Sequence, residues 1–259
     1  MTISFFKYQG AGNDFIIIDN REQNIHLSKE QVAQLCHRHY GIGADGLMLL
    51  ENAQGHDFRM VYYNSDGGES TMCGNGGRCI TAFANKLNII DTEADFIAID
   101  GAHTATINED NTISLQMQDV PEINANGGYS ILNTGSPHYV LWVNDVQQTD
   151  VYSEGKKIRN QASFQPGGIN VNFVQLFDGK LWVRTYERGV EDETLSCGTG
   201  VTASAIASTT NATGTFEIPV NTPGGTLTVS FTKDSSTSAI DVMLTGPAKL
   251  VFEGNYELS

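Results

Sequence analysis

The chain has 259 residues, 40% of them hydrophobic, with thirty acidic side chains against fifteen basic ones and a formal net charge of −15. That length and apolar content can fill one core or two, and the excess of carboxylates repels phosphate backbones, which argues against nucleic acid as a partner and reads as solubility. No apolar run approaches the roughly 20 residues of a membrane helix and the N-terminus carries no secretion signal. The four cysteines, at 36, 73, 79 and 197, contain no C-x-x-C and fit neither a zinc ribbon nor a disulfide scaffold; no metal is expected, and the expected compartment is the reducing cytoplasm.

Residues 3 to 19 read as strand, glycine turn and strand, with Ile16-Ile17-Ile18 as a continuous apolar run suited to a buried strand. Ser28-Lys29-Glu30-Gln31 is a capping box, after which Val32, Leu35, Cys36 and His39 share one helical face until Gly41; Cys36 reads as core. Phe58 to Asn64 alternates as a strand, Ser65-Asp66-Gly67-Gly68 turns it toward Cys73, and Ile80, Phe83, Ala84 and Leu87 predict a helix from near Gly76. Short strands punctuated by glycine are predicted at Thr112 to Met117, Thr226 to Phe231 and Ile240 to Leu244. Val201 to Ser208 is small and mostly apolar on all sides, as in a helix wrapped by sheet. The tail beyond Pro247 alternates Leu250, Phe252 and Tyr256, a candidate extra strand for the first domain.

A repeat overlies this order. Cys73-Gly74-Asn75-Gly76-Gly77-Arg78 is nearly copied by Cys197-Gly198-Thr199-Gly200-Val201-Thr202. Gly12 maps to Gly135, Tyr63 to Tyr186 and Gly101 to Gly224, each with an offset of 123, whereas the cysteines are 124 apart, so one extra residue lies between Glu187 and Cys197. Such a period is too long for a solenoid and fits two duplicated domains: residues 1–122, residues 123–246, and a tail at 247–259. Each half reads as an α+β unit whose strands curl around a central helix.

A cysteine ahead of a helix meets unsatisfied N–H groups and the positive end of the helix dipole, and both favour the thiolate. The dipole contributes about 0.3–1 kcal/mol, up to about 2 when partly buried, enough to bring a thiol from about 8.5 to near 7.5 at 1.36 kcal/mol per unit. The glycines let a ligand approach the backbone, and the same N–H groups suit a carboxylate. Two such loops facing each other across a pseudo-twofold axis put a base on one face of an amino acid's α-carbon and an acid on the other, which inverts a stereocentre. One cysteine alone is more often a small buried hydrophobe, the reading for Cys36 and Cys79; two copies at equivalent places reverse it for Cys73 and Cys197.

Gly10-Ala11-Gly12-Asn13-Asp14-Phe15, Asn64-Ser65-Asp66-Gly67, Cys73-Gly74-Asn75-Gly76-Gly77-Arg78-Cys79, Tyr186-Glu187-Arg188-Gly189 and Cys197-Gly198-Thr199-Gly200 together resemble the diaminopimelate epimerase family through essentially the whole chain. The resemblance implies two pseudo-symmetric domains, each a barrel-like mixed β-sheet around a central helix, with the active site in the cleft between them. It implies a homodimeric enzyme without a cofactor that interconverts LL- and meso-2,6-diaminopimelate in lysine and peptidoglycan-precursor synthesis. It further implies that Cys73 and Cys197 exchange the roles of acid and base. Gly74 and Asn75, with Gly198 and Thr199, would hold the reacting carboxylate; Asn13, Asn64, Asn170, Glu187 and Arg188 would grip the substrate, and His138 and Glu187 would tune the chemistry. The residue types fit those roles, since arginine clasps a carboxylate bidentately, glutamate pairs with an ammonium and asparagine fixes orientation. Taken singly, Asn64 and Asn170 read as turn or edge groups and His138 as a packed histidine.

Three departures from the family pattern stand out. Ser136 occupies a position where many members have asparagine, Gly46 one where some have glutamine, and the loop from Arg188 to Thr194 is one residue longer than the commonest form. The rival readings are a relaxed amino-acid racemase on the same scaffold, a dithiol redox protein and an amino-acid sensor. No lysine stands in a setting that suggests a Schiff base, which disfavours pyridoxal phosphate.

Overall fold

A computed structural model describes residues 2–258. They form two compact units, one running to Leu115 and resuming at Gly246, the other Gln116–Thr245. In chain order the first contains β1 (Thr2–Gly10), β2 (Asn13–Asp19), α1 (Lys29–Cys36), β3 (Gly46–Glu51), β4 (Phe58–Asn64), β5 (Glu69–Ser70), α2 (Gly74–Lys86), β6 (Glu93–Ala98), β7 (Gly101–Ile107) and β8 (Ile113–Gln116). The second contains β9 (Ile123–Asn126), β10 (Tyr129–Asn133), β11 (Pro137–Trp142), α3 (Val151–Arg159), β12 (Asn170–Phe177), β13 (Lys180–Glu187), β14 (Asp192–Thr194), α4 (Gly198–Ser208), β15 (Gly214–Thr222), β16 (Gly225–Lys233) and β17 (Ile240–Gly246); β18 (Lys249–Glu257) returns to the first.

The same pairings recur in both units. β1 and β2 are antiparallel, β3 joins β2 in parallel, β4 is antiparallel to β3, and β6 joins β4 in parallel. β10, β11, β12, β13 and β15 repeat that sequence of directions. The tail strand β18 lies antiparallel on β1, with Thr2 opposite Glu257 and Phe5 opposite Gly254, the place that β9 takes on β10.

At β2 and β3 both faces of the sheet are buried, which is why these strands are continuous apolar runs and not alternating ones. In the first unit Ile16, Ile18, Leu47 and Leu49 pack with Val32, Leu35 and Cys36 of α1. The side chains between them turn to α2, where Phe15, Met48 and Met60 line the wall beside Gly76. In the second unit Val171, Phe173 and Tyr186 pack with Val151 and Ile158 of α3, while α4 lies against β10, β11, β12, β13, β15 and β16 and is buried along nearly its whole length.

The capping box at α1 is formed: Ser28 Oγ accepts from the Gln31 N–H and Gln31 Oε1 from the Ser28 N–H, at 3.3 and 2.9 Å. The helix ends at Cys36, short of the predicted His39, which is exposed. His37 stops it by turning its own Nδ1 onto the N–H groups of His39 and Tyr40. The second helix begins at Gly74, two residues before the expected start, because Cys73 itself is the N-cap. Among the described residues no helix is long and apolar enough to cross a membrane.

Candidate active site

Cys73 ends the approach to α2 in an extended conformation and makes no side-chain cap, leaving the first-turn N–H groups without intrahelical acceptors. Its sulfur lies 3.6 Å from Asn13 Oδ1, which also accepts from Asn75 Nδ2 at 3.3 Å. Charged groups fix both amides from behind. Asn13 Nδ2 donates to Asp45 Oδ2 at 2.6 Å, Asp45 Oδ1 accepts from Arg38, and Arg38 and Lys7 both pair with Asp14. Burial of Asp14 would raise its pKa, but its bonds to Arg38 and Lys7 prevail and lower it to about 2. At the other end Arg78 Nη2 donates to Asn75 Oδ1 at 2.8 Å. Asn13, Cys73, Gly74 and Asn75 thus come together, whereas Asn64 stands exposed at the end of β4, opposite Gly46. A side chain at 46 has no room: its Cβ would come within 2.6 Å of the Tyr62 ring and 2.7 Å of the Tyr63 carbonyl.

In the second unit Cys197 caps α4 in the same way, and its sulfur lies 3.5 Å from Thr199 Oγ1. His138 is fully buried, with Nε2 at 2.9 Å from Thr199 Oγ1 and 3.0 Å from Ser136 Oγ. Asn172 Nδ2 lies 3.0 Å from His138 Nδ1, and the Asn172 amide is oriented by Thr185 Oγ1, which donates to its oxygen at 2.9 Å. The imidazole therefore accepts at Nδ1 and carries its proton on Nε2. Burial and the neighbouring Arg188 charge push its pKa down to about 3, so the ring is neutral and donates toward Thr199. That leaves the Thr199 hydroxyl free to donate to the Cys197 sulfur. Asn170 joins the cluster through Ser136 Oγ at 3.0 Å and through the Arg188 N–H, which donates to its oxygen at 2.8 Å. Glu187 accepts from Thr194 Oγ1 at 2.9 Å. Arg188 is half-buried as a residue, and its guanidinium reaches the Gly167 carbonyl at 3.4 Å on the exposed side. The long loop after it folds back through Glu191, at φ 61°, whose carboxylate is held by Arg159 and Tyr186.

Sequence reading assigned no role to Asn172, Asp45 or Arg78. Asn172 was accessible from strand alternation, since Asn170-Val171-Asn172 places both amides on one face. Arg78 lies four residues after Gly74, on the same helical face, and its Nη1 donates to the Gly74 carbonyl at 3.2 Å. Among the described residues no group of three or more His, Cys, Asp or Glu could hold a metal ion.

The architecture is that of a known class of two-unit α+β folds. The chain superposes on a Bacillus anthracis phenazine biosynthesis protein of the PhzF family with a TM-score of 0.79 at 16% identity, covering 100% of each chain. It superposes on a hydroxyproline epimerase from Agrobacterium vitis with a TM-score of 0.71 at 13% identity, covering 99% of this chain and 93% of that one. These likenesses concern the fold alone. The diaminopimelate epimerase family model matches residues 5–122 and 130–251. A diaminopimelate epimerase of Flavobacterium psychrophilum is 55% identical over 97% of this chain and 99% of its own, and one of Chlorobaculum tepidum is 40% identical over 96% and 99%. The chain belongs to the diaminopimelate epimerase family.

Proposed function

We propose that the chain epimerises LL-2,6-diaminopimelate to the meso form with two cysteines and no cofactor, serving lysine and peptidoglycan-precursor synthesis. The observation that carries the reading is the doubled one: in each unit a cysteine stands at the N-cap of a buried helix without a side-chain cap and directs its sulfur at a polar side chain, Asn13 or Thr199. The loops face each other across the cleft between the two duplicated domains, and the reacting carboxylate lies on the N–H groups of Gly74, Asn75, Gly198 and Thr199. One thiolate takes the α-hydrogen as a proton and becomes a thiol; the electron pair left on the α-carbon spreads into the carboxylate. The opposite thiol then protonates the other face and becomes the thiolate, so the reverse reaction starts from that side. Asn13, Asn64, Asn170, Glu187 and Arg188 receive or orient the rest of the substrate, and His138 with Glu187 tunes the thiols. The enzyme works as a cytoplasmic homodimer.

Incubation of LL-diaminopimelate in heavy water tests this. The wild type places deuterium at an α-carbon as the meso isomer forms, which neither a dithiol redox protein nor a sensor does. Cys73→Ala and Cys197→Ala each lose epimerisation while remaining folded; near-normal epimerisation by either one refutes the two-base assignment.

A further inference from the structure

The first turn of α2 is backed by a cation with no acid beside it. Arg78 is 0% exposed, its terminal nitrogens donate to two neutral acceptors, the Gly74 carbonyl and the Asn75 amide oxygen, and its Nε meets no acceptor among the described residues. None of the ion pairs among those residues includes it. The titratable groups near enough to act on its charge are the thiols of Cys79 and Cys73.

The strands packed on α2 are β1, β2, β3 and β7, and their charged groups are committed elsewhere. Lys7 and Asp14 pair with each other, Asp19 with Arg21, and Glu51 accepts from Asn20. His103 pairs with Asp100, whose carboxylate also accepts the Met72 N–H. The Tyr8 phenol, pushed up to about 12 by burial, is neutral.

A guanidinium cannot shed its proton as a buried lysine can, and a buried charge without a counter-ion is costly. An anion arriving at the same turn relieves that cost. The second unit has no such device: at the matching position Thr202, neutral, donates its hydroxyl to the Gly198 carbonyl at 2.9 Å.

We infer that Arg78 is a positioning residue that supplies the buried counter-charge for the substrate carboxylate held at the first turn of α2 and locks Asn75 with its amide N–H turned toward Asn13. The inference rests on the epimerase reading for the identity of the ligand. It is strengthened by the sidedness of the charge, which is confined to one of two otherwise duplicated helices.

The test compares wild type with Arg78→Lys, Arg78→Gln and Arg78→Met, measuring the thermal midpoint with and without diaminopimelate, and KM and kcat from heavy-water exchange. Arg78→Gln and Arg78→Met have free-protein midpoints within a few degrees of wild type, a KM raised at least tenfold, and most of the ligand-induced midpoint rise lost. Arg78→Lys recovers the greater part of both at the low end of the pH range, where a buried ammonium keeps its proton, and less as pH rises. A neutral variant that folds and retains wild-type KM and ligand-induced rise overturns the inference, as does a lysine variant no better than glutamine at every pH. If methionine does not fold, glutamine, which keeps an N–H donor for the same acceptors, decides. If diaminopimelate neither exchanges nor shifts the wild type, lysine, alanine and proline are tried in turn. A response to one of them removes the epimerase reading and leaves Arg78 testable with that amino acid; a response to none overturns both.

Discussion

Gly76 and Gly200 hold the same place in the first turns of α2 and α4, yet alanine should be tolerated at the first and costly at the second. A Cβ on Gly200 would come within 2.3 Å of Asn172 Oδ1 and 3.3 Å of Thr185 Oγ1. Relief requires Asn172 to retreat by about 1 Å, given that Cβ contacts under 3.0 Å are essentially never seen. The amide is already held by His138 at 3.0 Å and Thr185 at 2.9 Å, so such a shift breaks one of those buried bonds. Overpacking costs about 1–3 kcal/mol, a buried polar group left unpaired about 1–3 more, and alanine's helix propensity returns about 1. The net loss is about 1–5 kcal/mol, a fall of roughly 2–20 °C in Tm. Exchange at the α-carbon falls at least about tenfold, because about 1.4 kcal/mol on a barrier suffices for that. At Gly76 the nearest atoms are Met48 Sδ at 3.3 Å, Met60 Cε at 3.5 Å and a Phe15 ring carbon at 3.6 Å. The methionine ends can give way, and Gly76→Ala stays within about 1 kcal/mol of wild type. Scanning calorimetry and heavy-water exchange on the two variants check the pair. A Gly200→Ala protein as stable and active as wild type, or a Gly76→Ala protein less stable than Gly200→Ala, refutes the packing argument.

Asp14, with its folded pKa lowered from 3.8 to about 2, contributes stability that is present above about pH 4 and lost as pH falls through 2. The Tm gap between wild type and Asp14→Asn should therefore close over that window, and a gap independent of pH refutes the assignment. His138, lowered from 6.5 to about 3, is buried neutral, so its contribution is complete above pH 6.5 and drains away toward pH 3 as the unfolded chain takes up the proton. Nitrogen-15 NMR should show an uncharged ring protonated at Nε2 throughout the folded range above about pH 4; an Nδ1–H signal contradicts the hydrogen bond from Asn172. If the two loops face each other as proposed, mild oxidation should join Cys73 to Cys197 and abolish activity reversibly by dithiothreitol, since a disulfide needs Cα atoms within about 7 Å; peptide maps with Cys36 or Cys79 bridged instead contradict that proposal. Lysine, lacking the second carboxylate, should be a very poor substrate, and Arg188→Lys a much weaker enzyme because the planar fork is lost; efficient racemisation of lysine or alanine, or an unimpaired Arg188→Lys, favours the relaxed racemase.

Much of this was legible along the chain because periodicity reports which side of an element is buried. Phe58–Asn64 was placed to the residue by alternation, and the doubled cysteine motif located the starts of the two central helices to within two and three residues. The helix Val151–Arg159 escaped notice, although an offset of 123 from α1 points to it, because only Val151, Gly155 and Ile158 face inward and the glycine blurs the pattern. What periodicity cannot report is which polar group is buried beneath another. An arginine in a helix reads as solvated by default, so Arg78 was visible as a motif letter and not as a buried cation.

The two units preserve backbone and thiol while differing in the layer beneath each helix. In the first that layer is Phe15, Met48 and Met60, with the charge carried on the helix by Arg78. In the second it is His138, Asn172 and Thr185, with the matching helical position neutral. Register makes the correspondence definite for two members of each layer, since Phe15 pairs with Gly46 as His138 pairs with Asn170, and Met48 with Tyr62 as Asn172 with Thr185, so that Thr185 stands where the first unit has Tyr62. Polarity has thus moved from the helix in one unit to the strands in the other. A thiol backed by a fixed cation and a thiol reached through a neutral imidazole and a hydroxyl respond to different perturbations. Substitutions at Arg78 should act on the chemistry of Cys73, and substitutions at Asn172 or Thr199 on that of Cys197, so alkylation of the two cysteines, mapped separately across pH, should separate what turnover alone combines.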